Sequence, residues 1–163
     1  MAVQAFLDDL EHFVVRAKAA SFASGRAGHD ESSRPESVNH RFEEGRFCYL
    51  DSVVGGTHFV GQEIVYLFNE PVWAMNYHGR IVDPAYGPPD IVPVIQAGLS
   101  AVYDEGRFLG GSELVVDQYR YVDVSEGAID DFAGYETIDV DGHYVYRLRY
   151  HGGLIRTWRE DEI

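Results

Sequence analysis

Two stretches of the chain decide its fold: VWAMNYHGRIV at residues 72–82 and VYRLRYHGGLI at residues 145–155. Each contains the tripeptide Tyr-His-Gly, at residues 77–79 and 150–152. The apolar and polar residues around it alternate, which is typical of a β-strand. The shared tripeptide raises two hypotheses, either a pair of matched catalytic histidines or one structural unit that occurs twice.

The match between the two stretches extends upstream. Phe59, Gly61 and Glu63 correspond to Phe132, Gly134 and Glu136, at the same offset of 73 residues that separates His78 from His151. Still further upstream, RFEEGRFCYLD at 41–51 aligns with ELVVDQYRYVD at 113–123, at an offset of 72. The sequence therefore predicts one domain, 1–163, with an internal repeat of 1–83 and 84–155 and a C-terminal tail of 156–163.

Each unit opens with a helical pattern followed by alternating runs. Apolar residues recur at helical spacing in both patterns: Phe6, Leu10, Phe13, Val14 and Ala17 in the first, and Ile91, Val94, Ile95, Leu99 and Val102 in the second. Asp141-Gly142 is a strong two-residue hairpin signal, and FNEPV at 68–72 is its counterpart in the first unit. We expect an α+β fold in which the duplicated helix-plus-antiparallel-strands unit forms one curved antiparallel sheet with two helices packed on one face.

Strict alternation divides the last hairpin of each unit into two faces. It places the aromatic residues, Trp73 and Tyr146 among them, on the face that packs under the helices. The opposite face receives aliphatic residues mixed with polar side chains: Glu63, Asn76, His78, Glu136, Arg147, Arg149 and His151. Such a mixture suits either a cavity with a few polar anchors or a partly exposed surface, on which Glu136 pairs with Arg147.

Composition narrows the classes of function. The chain has 163 residues and a formal net charge of −14, and its few Lys and Arg residues are not clustered in the sequence, which argues against nucleic-acid binding. The N-terminus carries acids where a signal peptide carries bases, no apolar run is long enough to cross a membrane, and the lone Cys48 fits a reducing compartment. We therefore expect a cytoplasmic protein without membrane partners.

The motifs SSRP, GGTHFVGQE and PVWAMNYHG and the closing YHGGLI occur in order along the chain. With them, the chain resembles the bacterial family known as domain of unknown function 5680, from the first helix through Ile155. Relatives in that family are sometimes fused to helix-turn-helix regulators, which implies a sensor-like module. The resemblance brings no catalytic residues with it.

Several residues are candidates for chemistry. Glu63, Glu136 and His151 could act as acids or bases, whereas the alternatives are structural acceptors for the glutamates and a backbone contact for the histidine. Arg34, Trp73, Asn76, His78, Arg147 and Arg149 are candidates for ligand binding, although Trp73 also suits the core and Arg34 also suits a tether for its loop. The spacing of His and Cys favours no metal site, and no cofactor is expected.

The leading hypothesis is a small-molecule-binding, sensor-like domain with a pocket between the curved sheet and the long polar loop 23–40. The first alternative is a small cofactor-free hydrolase, isomerase or cyclase in which a glutamate acts as acid or base and His151 or Arg149 stabilises developing charge. The second alternative is a protein-interaction module whose sheet edges pair, with a homodimer as one outcome.

Overall fold

The protein is described by a computed structural model that covers residues 2–25 and 34–156. Within these ranges lie two α-helices, a short 3-10 helix and eight β-strands. Their bounds are α1 Ala2–Ala20, the 3-10 helix Phe22–Ser24, β1 Ser37–Glu44, β2 Phe47–Gly55, β3 His58–Leu67, β4 Glu70–Ile81, α2 Pro88–Asp104, β5 Ser112–Val116, β6 Tyr119–Ala128, β7 Asp131–Val140 and β8 His143–Leu154.

The eight strands form one open antiparallel sheet with the order β1-β2-β3-β4-β8-β7-β6-β5. The two Tyr-His-Gly strands, β4 and β8, pair at its centre, and Tyr77 lies directly opposite Tyr150. From this central pair, β3, β2 and β1 follow in that order toward one edge of the sheet. On the other side, β7, β6 and β5 follow toward the opposite edge. The predicted α+β class with an antiparallel sheet is confirmed.

Two tight turns close the central hairpins. Asp141 and Gly142 have φ values of 52° and 81°, and Phe68 and Asn69 have φ values of 50° and 70°. Two consecutive residues with positive φ match the twist of the flanking strands, which is why such turns connect antiparallel pairs. Both hairpin predictions are confirmed. The turn between β3 and β4 places Phe68 in a backbone conformation that usually favours glycine or asparagine.

A β-bulge in each hairpin overturns the predicted division into faces. The register shifts by one residue between Val65 and Tyr66, and again between Ile138 and Asp139. Because side chains alternate with a period of two, a one-residue shift moves every later side chain of that strand to the other face. Glu63 therefore shares a face with the central aromatic residues, and so does Glu136. The predicted grouping of the glutamates with His78, Arg147, Arg149 and His151 is wrong.

Apolar side chains of both helices are buried in the core. Leu10, Phe13 and Val14 of α1 are at most 1% exposed, and the Phe13 ring stacks on Phe47 of β2 with the ring centroids 4.9 Å apart. In α2, Ile91 and Val94 are at most 2% exposed. Burial of one such side chain contributes about 1.5–3 kcal/mol. The helical periodicity predicted from the sequence is confirmed by this pattern.

The glycine of each Tyr-His-Gly tripeptide makes room for a phenylalanine ring. A Cβ atom at Gly79 would lie 2.4 Å from the Phe59 ring, and one at Gly152 would lie 2.6 Å from the Phe132 ring. Any larger residue would push the ring away, so the glycine is needed for packing. The tripeptide thus has an architectural role at both positions.

Candidate functional site

A cavity of about 230 Å³ lies between the helices and the sheet. Its wall includes apolar side chains from the 3-10 helix and α2, such as Phe22, Val92, Ile95 and Leu99. We call the sheet face that contributes to this wall the inner face. Gly55 and Gly56, which are exposed, also contribute, whereas Lys18 and Tyr49 are buried. A second cavity of about 20 Å³ shares Lys18 and Glu136 with the first.

The same side-chain arrangement occurs on both halves of the inner face. The Tyr77 hydroxyl donates a 2.8 Å hydrogen bond to Asp51 Oδ1, and the Tyr150 hydroxyl donates a 2.8 Å hydrogen bond to Asp123 Oδ1. Each tyrosine ring crosses a glycine of the neighbouring strand: a Cβ at Gly61 would lie 2.0 Å from the first ring, and one at Gly134 would lie 2.3 Å from the second.

Each of these aspartates also lies beside a glutamate. Asp51 pairs with Glu63 across β2 and β3, and Asp123 pairs with Glu136 across β6 and β7. All four are buried, with at most 6% of each residue exposed. The four carboxyl groups, which we call the acid cluster, are therefore held on rigid strands and largely shielded from solvent.

The Lys18 ammonium group forms an ion pair with one member of the acid cluster, Glu63. Lys18 Nζ lies 2.7 Å from Glu63 Oε1 and 2.6 Å from Glu63 Oε2, and both side chains are 6% exposed. It also approaches Met75 Sδ at 3.6 Å. Breaking a pair this deeply buried would leave an uncompensated charge, so the contact fixes the C-terminal part of α1 against the sheet.

Glu136 has no such partner. Its residue is 6% exposed, and no donor among the described residues hydrogen-bonds its Oε2 atom. The nearby Tyr146 hydroxyl also makes no hydrogen bond of good geometry among the described residues. Its proximity nevertheless lowers the pKa of the Glu136 carboxyl. Buried polar atoms are nearly always paired, so an unpaired oxygen on a side chain that borders a cavity indicates a place for a missing partner.

Burial shifts the titration of the acid cluster. Desolvation raises the pKa of Glu136 to about 8, with the Asp123 charge adding to the effect and Lys18 opposing it. Desolvation and then the Glu63 charge raise the pKa of Asp51 to about 7, against the lowering effects of the Tyr77 hydrogen bond and Lys18. Desolvation also raises the pKa of Asp123. Near neutral pH, the cluster therefore holds protons that ordinary carboxylates would release.

The structure divides the predicted site residues between two faces. Glu63 and Glu136 line the cavity. Asn76, His78, Arg147, Arg149 and His151 alternate with inner-face residues along β4 and β8, so they lie on the opposite face, which we call the outer face. The histidines and arginines there are exposed. His151 and Arg149 are therefore not placed where they could stabilise charge beside the glutamates.

The expected pairing of Glu136 with Arg147 is also wrong. Arg147 lies opposite Thr137, and its guanidinium carbon sits 4.6 Å from the centroid of the Tyr144 ring. Glu136 lies opposite Leu148 instead. The bulge between Ile138 and Asp139 explains the change, because it shifts the pairing of β7 with β8 by one residue.

Trp73 and Arg34 take other positions. Trp73 is fully buried, and its Nε1 donates a 2.9 Å hydrogen bond to the Ile129 carbonyl oxygen, as expected of a core residue. Arg34 Nη2 donates to the carbonyl oxygen and the hydroxyl of Ser52, at 2.9 and 2.8 Å. It is exposed and fixes the end of its loop to β2. Residues 26–33 of the predicted loop 23–40 lie outside the described residues. The predicted bounds of the loop are too wide, because Ala23 belongs to the 3-10 helix and His40 to β1; both residues line the cavity.

Sequence reasoning missed Lys18, Asp51 and Asp123 as site residues. The repeat contained the signal for the two aspartates, since they occupy matching positions in the aligned segments 41–51 and 113–123. Lys18 lies four residues after Val14, on the apolar stripe of α1. A lysine on such a stripe calls for a buried acidic partner, which the sequence alone does not identify.

The profile of the family described as Domain of unknown function (DUF5680) matches residues 51–155, which include part of β2, all of β3 to β8 and all four members of the acid cluster. The chain belongs to this family. No curated protein and no solved structure matches the chain. In the described part of this family member, no group of three or more His, Cys, Asp or Glu side chains is arranged to hold a metal ion. Neither α-helix there has the length and apolar character that a membrane crossing requires.

Proposed function

We propose that this chain is a ligand-binding, sensor-like module whose cavity takes up a small, partly apolar organic molecule. The observation that carries the proposal is a cavity with apolar side chains from α2 in its wall, together with the Glu136 carboxyl, whose Oε2 atom is unpaired among the described residues. Ligand sites typically combine a mostly apolar wall with a few fixed polar groups.

The size of the cavity supports an organic ligand. A volume of about 230 Å³ corresponds to roughly eight water molecules at about 30 Å³ each. A buried polar atom without a partner costs about 1–3 kcal/mol. A ligand whose polar group pairs with Glu136 would offset that cost. Its apolar part would at the same time replace water against the apolar side chains of the wall.

The repeated side-chain arrangement supports a duplication as the origin of this cavity. In this proposal, the units 1–83 and 84–155 each contribute a helix to the same face of a curved sheet. The matching Asp51–Tyr77 and Asp123–Tyr150 hydrogen bonds support it, as does the pairing of Tyr77 with Tyr150 at the centre. The acid cluster then arises from two copies of one Asp–Glu pair.

A steric block tests the binding proposal. Val92 lies in the cavity wall on α2 and is partly exposed, so Val92→Trp fills the cavity. Val115 on the edge strand β5 is 65% exposed, so Val115→Trp is a matched control outside the cavity. Fragments found by ligand-observed NMR should lose binding to Val92→Trp and keep it with Val115→Trp. Equal binding to both variants, or no binding to the wild type, would contradict the proposal.

A second candidate is a cofactor-free acid–base enzyme. It is favoured by two carboxyl groups in one cavity whose pKa values, raised to about 8 for Glu136 and about 7 for Asp51, lie close to neutral pH. A protonated Glu136 would donate and an ionised Asp51 would accept a proton. For any substrate found, Glu136→Gln and Asp51→Asn should each lower kcat by at least about a hundredfold. His151→Ala, on the outer face, should leave kcat unchanged. Unchanged turnover in both carboxyl variants would exclude this candidate.

A further inference from the structure

We infer that the molecule bound in the cavity carries a compact positive charge, such as a protonated primary amine, and that Glu136 is its counter-ion. The inference rests on the proposed function and adds the chemical class of the ligand. The geometry that points to it is the combination of an unpaired buried carboxylate oxygen with a wall in which carboxyl groups outnumber cations.

The charges around the two cavities come from every element packed there. The strands β2, β3, β6 and β7 contribute the acid cluster, α1 contributes Lys18, and β1 contributes His40. The remaining ionisable side chains are tyrosines from α2 and the strands, and burial raises the pKa of Tyr103 and Tyr146 well above the usual value. Four carboxyl groups thus face one lysine in the cavity walls, with His40 nearby and with Arg34 and Arg107 close enough to lower the pKa of Asp51 and of Asp123, respectively.

An anionic ligand is poorly matched to this wall. Lys18 is already engaged by both oxygens of Glu63, so a ligand carboxylate would have to compete with that contact. It would also bring a further negative charge into a cluster in which the existing carboxylates already raise one another's pKa. A cation meets the opposite situation, because each ionised carboxylate nearby favours it.

Glu136 offers the missing half of an ion pair. Its Oε2 atom makes no hydrogen bond of good geometry with the described residues, the nearby Tyr146 hydroxyl included, and its side chain borders both cavities. An ammonium group placed there would make a charge-assisted hydrogen bond, which is stronger than one between neutral groups. The apolar side chains of α2 and Phe22 would cover the hydrocarbon part of the same molecule.

Binding of a cation is coupled to proton release. Burial raises the pKa of Glu136 to about 8, so this carboxyl carries a proton in the empty cavity at neutral pH. The cation takes the place of that proton, which leaves to solvent. Since the ionised fraction of a group with a pKa of about 8 rises from about 1% at pH 6 to about 50% at pH 8, affinity should rise about fiftyfold over that range.

The test uses three probes of similar shape: phenethylamine, 2-phenylethanol and 3-phenylpropionate. Isothermal titration calorimetry at pH 6, 7 and 8, in two buffers of different ionisation enthalpy, measures affinity and proton release together. We expect phenethylamine to bind about fiftyfold more tightly at pH 8 than at pH 6, with release of a proton. The alcohol should change by less than twofold, and the propionate should bind most weakly.

Glu136→Gln is the matched variant, because it keeps the shape of the side chain and removes its charge. It should abolish the pH dependence and the preference for the amine over the alcohol, while the alcohol still binds. The pH series on the wild-type protein needs no variant, so the test holds even if the substitution impairs folding. An amine that binds no more tightly than the alcohol at pH 8, or a propionate that binds most tightly, would overturn the inference.

The result separates this inference from the proposed function. Binding of the alcohol without any preference for the amine would refute the ligand class and leave the binding cavity intact. If none of the three probes binds, the ligand class is refuted as well, and the comparison of Val92→Trp with Val115→Trp decides the proposed function independently.

Discussion

Glu136→Gln should flatten the dependence of protein stability on pH. In the unfolded chain a glutamate titrates near pH 4.3, whereas in the fold the pKa of Glu136 is raised to about 8. The folded state therefore holds this proton more tightly. The associated stability is complete below the unfolded pKa and is lost as the pH rises toward 8, at up to about 1.4 kcal/mol per pH unit.

The magnitude follows from these two values. Between pH 6 and pH 8, Glu136 should remove about 2 kcal/mol from the free energy of unfolding, because the folded carboxyl is half ionised at the upper limit. Asp51, with a folded pKa of about 7, should remove about 1 kcal/mol over the same range. These two groups together should cost the wild type about 3 kcal/mol, of which the Asp51 part of about 1 kcal/mol remains in Glu136→Gln. The raised pKa of Asp123 adds a loss of the same sign to both proteins.

Urea unfolding at pH 6, 7 and 8, followed by tryptophan fluorescence, measures this difference. Glu70→Gln makes the same chemical change at an exposed position at the start of β4, so it should follow the wild-type dependence. Parallel pH dependences for the wild type and Glu136→Gln would refute the reasoning, because they would show that the buried carboxyl does not take up a proton on folding.

Two further perturbations test the packing around the cavity. Lys18→Met should lower the free energy of unfolding by about 3–5 kcal/mol at pH 7, because it leaves the buried Glu63 carboxylate unpaired. Arg16→Met removes an exposed ion pair and should lower it by less than about 1 kcal/mol. Equal losses in urea unfolding would contradict the role of the buried pair. Gly79→Ala places a Cβ 2.4 Å from the Phe59 ring and should cost about 1–3 kcal/mol. Gly56→Ala, with no atom within 4 Å of its added Cβ, should stay within about 0.5 kcal/mol of the wild type by thermal unfolding, and a similarly small effect at Gly79 would refute the packing role of the tripeptide.

Local sequence signals were sufficient for the order of elements. Asp141-Gly142 predicts a hairpin because a two-residue turn with positive φ suits Asp and Gly, and both residues adopt it. The apolar spacing of Leu10 and Val14 predicts the buried face of α1 for a similarly local reason. These features depend only on neighbours along the chain.

The faces of the hairpins could not be predicted in the same way. The bulges at Val65/Tyr66 and Ile138/Asp139 have no local glycine that marks them, yet each inverts one strand with respect to its partner. Strict alternation therefore separated Glu136 from Tyr146, although both border the same cavity. A single unpaired residue in a strand decides which side chains meet, and it depends on packing across the whole sheet.

The composition of the acid cluster depends on contacts that are distant in sequence. Lys18 and Glu63 are 45 residues apart, and Glu63 and Glu136 belong to different halves of the sheet. The repeat identified both glutamates as candidates, but only the tertiary structure shows that the lysine is paired with one and that the other has an unpaired oxygen. The difference between the two matched glutamates gives the site its asymmetry.

Methyl NMR tests most directly the claim that this cavity binds a small molecule. With methyl-labelled protein, a fragment that binds should shift the signals of Met75, Ile95 and Leu99 in the cavity wall. The signals of Ile64 and Ala74, which pair on the outer face, should not move. Shifts concentrated on Ile64 and Ala74, or no shift at the three cavity residues with any fragment, would contradict the account.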